Sequence, residues 1–256
     1  MMFNVQSFID SLPDDTTIID ISNKQLSVIP DLSRFTKLKQ LDCSHNQLTS
    51  LPVLNENLER LYCSYNNLTS LTALNENLEK IYCYNNRLSY LPTLNENLKI
   101  LYCYNNRLTS LPALNEKLEE LVCNNNRLTS LSQLNKHLLY LDCPENQLTS
   151  LPALNKTLKT LDCSNNRLTS LPTLNENLKI LYCSYNNLTS LPVFNENLVT
   201  LHCYYNPFNI LDCYDDIDTM KRKVNILTSF RHVYYCLTFK TQFRKWLWEL
   251  VREPKI

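Results

Sequence analysis

The residues that could do chemistry recur at one interval. Nine of the eleven cysteines stand twenty residues apart: Cys43, Cys63, Cys83, Cys103, Cys123, Cys143, Cys163, Cys183 and Cys203. Metal binding, disulfide bonding and nucleophilic chemistry are the uses open to them. No CxxC pair and no histidine lies at ligand spacing, so no metal site is expected. A disulfide framework has uneven spacings and an oxidising compartment, and an unbroken interval does not fit one. The series therefore reads as structural, each free cysteine serving as a small hydrophobe that faces a core. Glycine is absent, which removes the glycine-rich loops that cradle phosphates and dinucleotides. No cofactor is expected.

An asparagine keeps the same interval, three residues after each cysteine, from Asn46 and Asn66 to Asn186 and Asn206. A buried amide at that place would satisfy backbone groups of adjacent turns, so it reads as a hydrogen-bond spine. Cysteine and asparagine belong to one unit, L-x-x-L-x-C-x-x-N-x-L-T-S-L-P-x-L-N-E-N, repeated nine times from Leu38. An earlier, looser copy runs from Ile19 to Pro30, offset by 22, with Lys24 where the asparagine would stand. Alternation of inward leucine and cysteine with variable residues is strand periodicity. One short strand per unit, stacked in parallel, predicts a long sheet with its leucines inside, Leu111 among them. Too few residues remain for a returning helix, and the recurrent Leu-Pro step favours extended backbone. The convex side is expected to be mostly extended. Its repeated Asn-Glu-Asn corner reads as a solvated face on which asparagines make the turns that glycine would otherwise make.

The unit resembles the leucine-rich repeat family, with cysteine in place of the third leucine of LxxLxLxxNxL. The length of 20 residues and the Leu-Pro step resemble the short repeats of bacterial LPX-type effectors, and the wording LYCxYNNLTSLPxLNENL is most similar to repeat proteins of giant DNA viruses. The resemblance implies an α/β repeat solenoid: an arc with a parallel sheet of short strands on its concave face and helical caps at both ends. It also implies a protein-binding role without catalysis. LPX-type repeats can precede a ubiquitin ligase with a catalytic Cys-x-Asp, which Cys213-Tyr214-Asp215 matches, but about 45 remaining residues are too few for that domain. No enzyme is expected.

A solenoid needs its apolar ends covered. Val5, Phe8, Ile9 and Leu12 follow helical spacing up to Pro13, predicting a cap over 1–15. The repeats fill 16–211, finishing at Asn206-Pro207-Phe208. Over 212–256 a helical period returns with Ile217, Met220, Val224, Leu227 and Tyr234, and a second helix is expected from Thr241, carrying Phe243, Trp246, Leu247 and Leu250. From Thr219 onward the chain holds nine Lys/Arg and two Asp/Glu, leaving 16 basic and 23 acidic residues before it, since each sign totals 25. A basic tail can rest on that acidic body, or it can recruit host machinery such as ubiquitin-ligase components in an adaptor.

Partner choice must be written on the outward strand positions. The residues flanking each cysteine bring Tyr62, Tyr82, Tyr102, Tyr84 and Tyr104 into one concave patch, and Tyr182, Tyr185, Tyr204 and Tyr205 into a second, with Asp142 and Asp162 between. Arg87, Arg107 and Arg127 line the edge of the first. Exposed aromatics at the centre of a surface anchor protein interfaces. The expected partner is therefore a protein, met through Tyr62, Tyr82, Tyr84, Tyr102, Tyr104, Arg87, Arg107, Tyr182 and Tyr204. Nucleic acid is disfavoured because an acidic solenoid repels phosphate. No apolar run reaches the roughly 18 residues of a membrane span, and 1–15 lacks a basic-then-apolar leader pattern. A monomer in the cytoplasm, of the host cell if viral, is expected.

Overall fold

Each repeat contributes one three-residue strand, and the strands stack in sequence order. The computed structural model describes residues 3–207 and 217–226. After helix α1 (Val5–Asp10) come β1 (Ile18–Asp20), β2 (Gln40–Asp42), β3 (Arg60–Tyr62), β4 (Lys80–Tyr82) and β5 (Ile100–Tyr102). They are followed by β6 (Glu120–Val122), β7 (Tyr140–Asp142), β8 (Thr160–Asp162), β9 (Ile180–Tyr182) and β10 (Thr200–His202). Among the described residues these form one parallel sheet in the order β1 to β10. Register never slips: Leu41 pairs with Leu61, Ile81 with Leu101, and Leu121 with Leu141. The fold is a parallel-sheet solenoid of leucine-rich repeat type.

The register follows from burial. The central leucine or isoleucine of every strand points inward, as does the next cysteine, or Ile21 after β1, and Cys63 through Cys163 are fully buried. A one-residue slip would turn that whole set to solvent, so the core itself holds the pairing. Beyond each strand the backbone continues the ladder, with Cys43 N–H donating to Tyr62 O at 2.8 Å and His45 N–H to Ser64 O at 2.9 Å. No helix interrupts the described residues between 11 and 207, so the return path is irregular, as a 20-residue period requires.

The asparagine spine has the predicted role in atomic detail. Asn126 Oδ1 accepts the Leu108 N–H at 3.0 Å, while its Nδ2 donates to Cys103 O and Cys123 O, both at 3.1 Å. One amide thus bridges two turns. In the looser first copy Lys24 has no such side chain, and Asn46 Oδ1 takes its backbone N–H instead.

The Asn-Glu-Asn asparagines do turn the chain, though without left-handed backbone: Asn95 Oδ1 accepts the Asn97 N–H at 3.0 Å, as Asn75 Oδ1 accepts that of Asn77. Their amides also cross-link repeats: Asn95 Nδ2 donates to Asn75 O and Leu78 O, and Asn97 Nδ2 to Glu76 O. The positive φ values fall on the residue before the spine asparagine, from His45 to Tyr205 at 49° to 55°. There the chain must reverse after the strand, and with no glycine available ordinary residues take that conformation. Leu111 packs against the core yet is only partly buried, whereas Leu108 and Leu101 are fully enclosed.

Helix α1 starts at Asn4, whose side chain accepts the Ser7 N–H at 3.0 Å, and buries Ile9 in the common core. Arg34 of the first repeat ties it down, donating to Ile9 O at 2.6 Å and Leu12 O at 2.9 Å and pairing with Asp14. A second helix, α2 (217–226), buries Met220 and Val224 in the same cluster. Phe208, Cys213-Tyr214-Asp215, Leu227, Tyr234, Cys236 and the helix expected from Thr241 lie outside the described residues.

Candidate functional site

The sheet has a second face, and no element among the described residues packs on it. Each strand presents two outward residues, and the chain adds two more just past the cysteine. Because strands stack in register, equal positions of successive repeats become rows. Tyr62 and Tyr82 stack face to face, with centroids 4.8 Å apart and planes 2° apart, and Tyr102 closes the row edge-on at 5.1 Å. The neighbouring row stacks Tyr84 on Tyr104 at 4.3 Å and continues through Tyr65 to His45. The expected first patch is assembled, and it is longer than expected.

The second patch also forms. Tyr182 lies 4.8 Å from His202, His202 lies 5.6 Å from Tyr204, and Tyr185 stacks on Tyr205 at 4.3 Å. A cavity of about 420 Å³ opens here, lined by Asp162, Tyr182, Tyr185, His202 and Tyr204. Arg87 and Arg107 stand exposed on the turn beyond the spine, three residues past Tyr84 and Tyr104. Their backbone N–H groups bond Leu68 O and Leu88 O, and the side chains stay at the rim.

Three of these tyrosines sit where stability alone would not put them. Tyr65, Tyr185 and Tyr205 occupy the left-handed position, with φ of 53°, 55° and 54°, where Asn85, Asn105, Asn125 and Asn165 stand in other repeats. Asparagine tolerates this backbone, whereas a bulky side chain is a steric outlier there. All three rings are exposed, so burial in the core does not explain the choice.

Between the patches runs an acidic strip. Glu120 Oε2 accepts the Tyr102 hydroxyl at 2.6 Å, and Asp142 Oδ2 accepts the Tyr140 hydroxyl at 3.2 Å. Burial and then the Glu120 bond hold the Tyr102 phenol well above its usual range. Burial followed by the Asp142 charge lifts Tyr140 to about 12, so both stay protonated donors at neutral pH. The Asp142 carboxyl is pushed up to about 6, first by burial and then by Asp162, its direct partner in the β7–β8 register. Glu120 and Tyr140 escape a reading confined to the residues that flank each cysteine. They occupy the outward position two residues earlier, and the period-two rule that exposes Tyr102 and Asp142 exposes them as well.

Nothing on this face is arranged for catalysis by the cysteines. Burial pushes the Cys43 and Cys83 thiols to about 12 and Cys103 to Cys183 well above the ordinary range, so thiolate is scarce. The thiols donate weakly to backbone instead, as from Cys143 to Asp162 O at 3.2 Å. Among the described residues no group of three His, Cys, Asp or Glu side chains could hold a metal ion, and no helix is long and apolar enough to cross a membrane.

Known proteins share the architecture. Leucine-rich repeat family models match residues 37–55, 96–136 and 157–175. The chain is similar to YopM from Yersinia enterocolitica, at 31% identity and a TM-score of 0.69 over 81% of this chain and 50% of that one. It is similar to YopM of Yersinia pestis, described as a leucine-rich effector protein, at 34% identity and 0.64 over 75% and 61%. A third likeness is to the functional domain of InlJ from Listeria monocytogenes, which includes a cysteine ladder, at 28% identity and 0.65 over 78% and 46%. The chain therefore spans between 46% and 61% of the length of these solved relatives. No curated protein matches it in sequence. The repeat signature, the in-register parallel sheet and these likenesses converge: the chain carries leucine-rich repeats, matched by the family models at 37–55, 96–136 and 157–175.

Proposed function

We propose that this protein is a non-catalytic scaffold that binds a protein partner on the outward, concave face of its sheet. Tyr62, Tyr82, Tyr84, Tyr102 and Tyr104 supply the principal anchor, Tyr182 and Tyr204 a second one, and Arg87 and Arg107 rim contacts. The observation that carries the reading is the pair of pre-stacked tyrosine rows on a face with no role in the core. Stacked rings are already ordered, so binding loses little side-chain entropy there, and rigid aromatics give large contact areas. In this reading residues 1–15 and 212–256 cap the solenoid of 16–211, and the protein works as a monomer in the cytoplasm.

An adaptor role is the second reading. The observation behind it is the charge separation, nine basic residues against two acidic from Thr219 onward. Affinity capture from expressing cells tests both, with mass spectrometry to identify what is retained. Tyr82→Ala with Tyr102→Ala should lose the repeat-bound protein, while Glu76→Ala with Glu96→Ala on the corner should keep it. Neutralising the tail's lysines and arginines should change the captured set only if the adaptor reading holds. Retention of every captured protein by the tyrosine pair would sink the scaffold reading.

A further inference from the structure

From β5 to β10 the outward face carries one sign of charge. The four outward positions of each repeat between Ile100 and Tyr205 include Glu120, Asp142, Glu145 and Asp162 and no lysine or arginine. Arg107, Arg127 and Arg167 stand beyond it, on the turn past the spine. Asp142 and Asp162 pair directly across β7 and β8, and Glu120 of the adjacent β6 stands diagonally to Asp142, opposite Tyr140, so the three acids follow one oblique line across the strands.

Asp142 is the unusual member. Asp20, Asp42 and Asp162 each accept a backbone N–H from the serine two residues on, all at 2.9 Å. After Asp142 that residue is Pro144, which has no N–H, and the buried Oδ1 of Asp142 has no hydrogen-bond partner. A carboxylate oxygen shut off from water and from donors, with Asp162 beside it, is uncompensated in the free protein. An external cation beside the pair cannot bond that enclosed oxygen, but it would offset the like-charge contact of Asp142 with Asp162. The flanking tyrosines suit the same ligand: Tyr102 and Tyr140 hold the carboxylates through their hydroxyls, and the cavity bounded by Asp162, Tyr182 and Tyr204 offers ring faces to a cationic side chain.

We propose that the line Glu120–Asp142–Asp162, with the tyrosines on either side, receives lysine or arginine side chains from an extended basic segment of the partner protein. The proposal rests on the reading of this face as the binding surface and adds the chemistry of what binds. Strands in a sheet lie about 4.8 Å apart, so the line covers roughly 10 Å, room for two cationic side chains of one extended segment. The occupant must bring positive charge to offset the acids, and neighbouring aromatics strengthen the preference for arginine.

The test uses the full chain and a labelled decapeptide alternating arginine and alanine, read by fluorescence anisotropy at low salt. Its two controls have citrulline or glutamate in place of arginine. Wild type should bind the arginine peptide and neither control. Asp142→Asn with Asp162→Asn, close in shape to the wild type, should weaken binding by roughly tenfold or more. Glu76→Gln with Glu96→Gln on the corner should stay within about twofold. A second readout needs no variant. Asp162 of β8 and Tyr140 of its own strand act on Asp142, whose β6 neighbour in register is the uncharged Val122, and binding should weaken as pH falls through about 6, where Asp142 takes a proton. Asp142→Asn alone should flatten that step. Equal binding of the citrulline peptide, an unaffected double asparagine variant, or no binding by wild type overturns the cationic partner. None of these outcomes touches the scaffold reading, which falls only if the tyrosine pair keeps every captured protein.

Discussion

Pro144→Ser should stabilise the protein near neutral pH, because it supplies the N–H that Asp142 lacks. Serine is native to this position in other repeats, at Ser44, Ser64, Ser164 and Ser184, so its backbone suits the site. In no described repeat does a backbone carbonyl take this N–H, so the proline breaks no inter-repeat bond and only the carboxylate goes short. The Asp142 carboxyl has risen from 3.8 to about 6. Between those values the folded chain holds a proton that the unfolded chain has released. The cost of ionising Asp142 is therefore absent below the lower value and complete above about 6. Taken whole, the shift corresponds to about 3 kcal/mol, which solvent screening at this half-buried position reduces to about 1–2 kcal/mol. A hydrogen bond to a charged group contributes about 1.5–3 kcal/mol, and losing the proline costs about 0.4–1 kcal/mol through the unfolded chain. The expected net gain is about 1 kcal/mol at pH 7, vanishing near pH 4. Urea unfolding at both pH values measures it, and a carbon-13 titration of the Asp142 carboxyl follows the accompanying fall in its pKa. An unchanged pKa, or a gain as large in acid as at neutral pH, would refute the orphaned carboxylate.

Three further outcomes follow from the core. Leu101→Ala should cost about 2–5 kcal/mol by leaving a cavity in a stacked interior, and a urea-midpoint change equivalent to under about 0.5 kcal/mol would contradict its burial. Asn126→Ala should cost about 1–3 kcal/mol, since it orphans the buried Leu108 N–H while Cys103 O and Cys123 O keep the amides of Asn106 and Asn146; a variant as stable as wild type would mean the spine is dispensable. Maleimide labelling of native protein should be slow at the nine ladder cysteines and fast after unfolding, and rapid native labelling at Cys103 or Cys123 would place them outside the core.

How much of this was legible depended on what each residue contacts. Leucine, cysteine and asparagine meet the same repeat positions in every neighbouring turn, so one interval determines strand, core and spine together. Tyr82 and Tyr102 were readable for the same reason, because register turns equal positions into rows. The Asn-Glu-Asn corner was legible only in part, because an asparagine that turns its own backbone does not reveal in sequence that its amide also caps the carbonyl of the previous repeat, as Asn95 does for Asn75. Leu111 has the same spacing as Leu51, Leu71 and Leu91, which are buried, yet from Leu111 through Leu131, Leu151, Leu171 and Leu191 this position is only partly buried, a change the repeat pattern does not encode. The Asp142 orphan needed coordinates: only once Ser164 is seen donating to Asp162 does the proline in Asp-Cys-Pro become a missing donor.

The central claim, that the outward tyrosine face is where the partner sits, is tested most directly by hydroxyl-radical footprinting of the captured complex against the free protein. Tyr62, Tyr82, Tyr84, Tyr102 and Tyr104 should lose reactivity on binding, while exposed corner residues such as Val53 and Val193 keep theirs. Protection of the corner with the tyrosines still reactive would contradict the claim and move the interface to the other side of the solenoid.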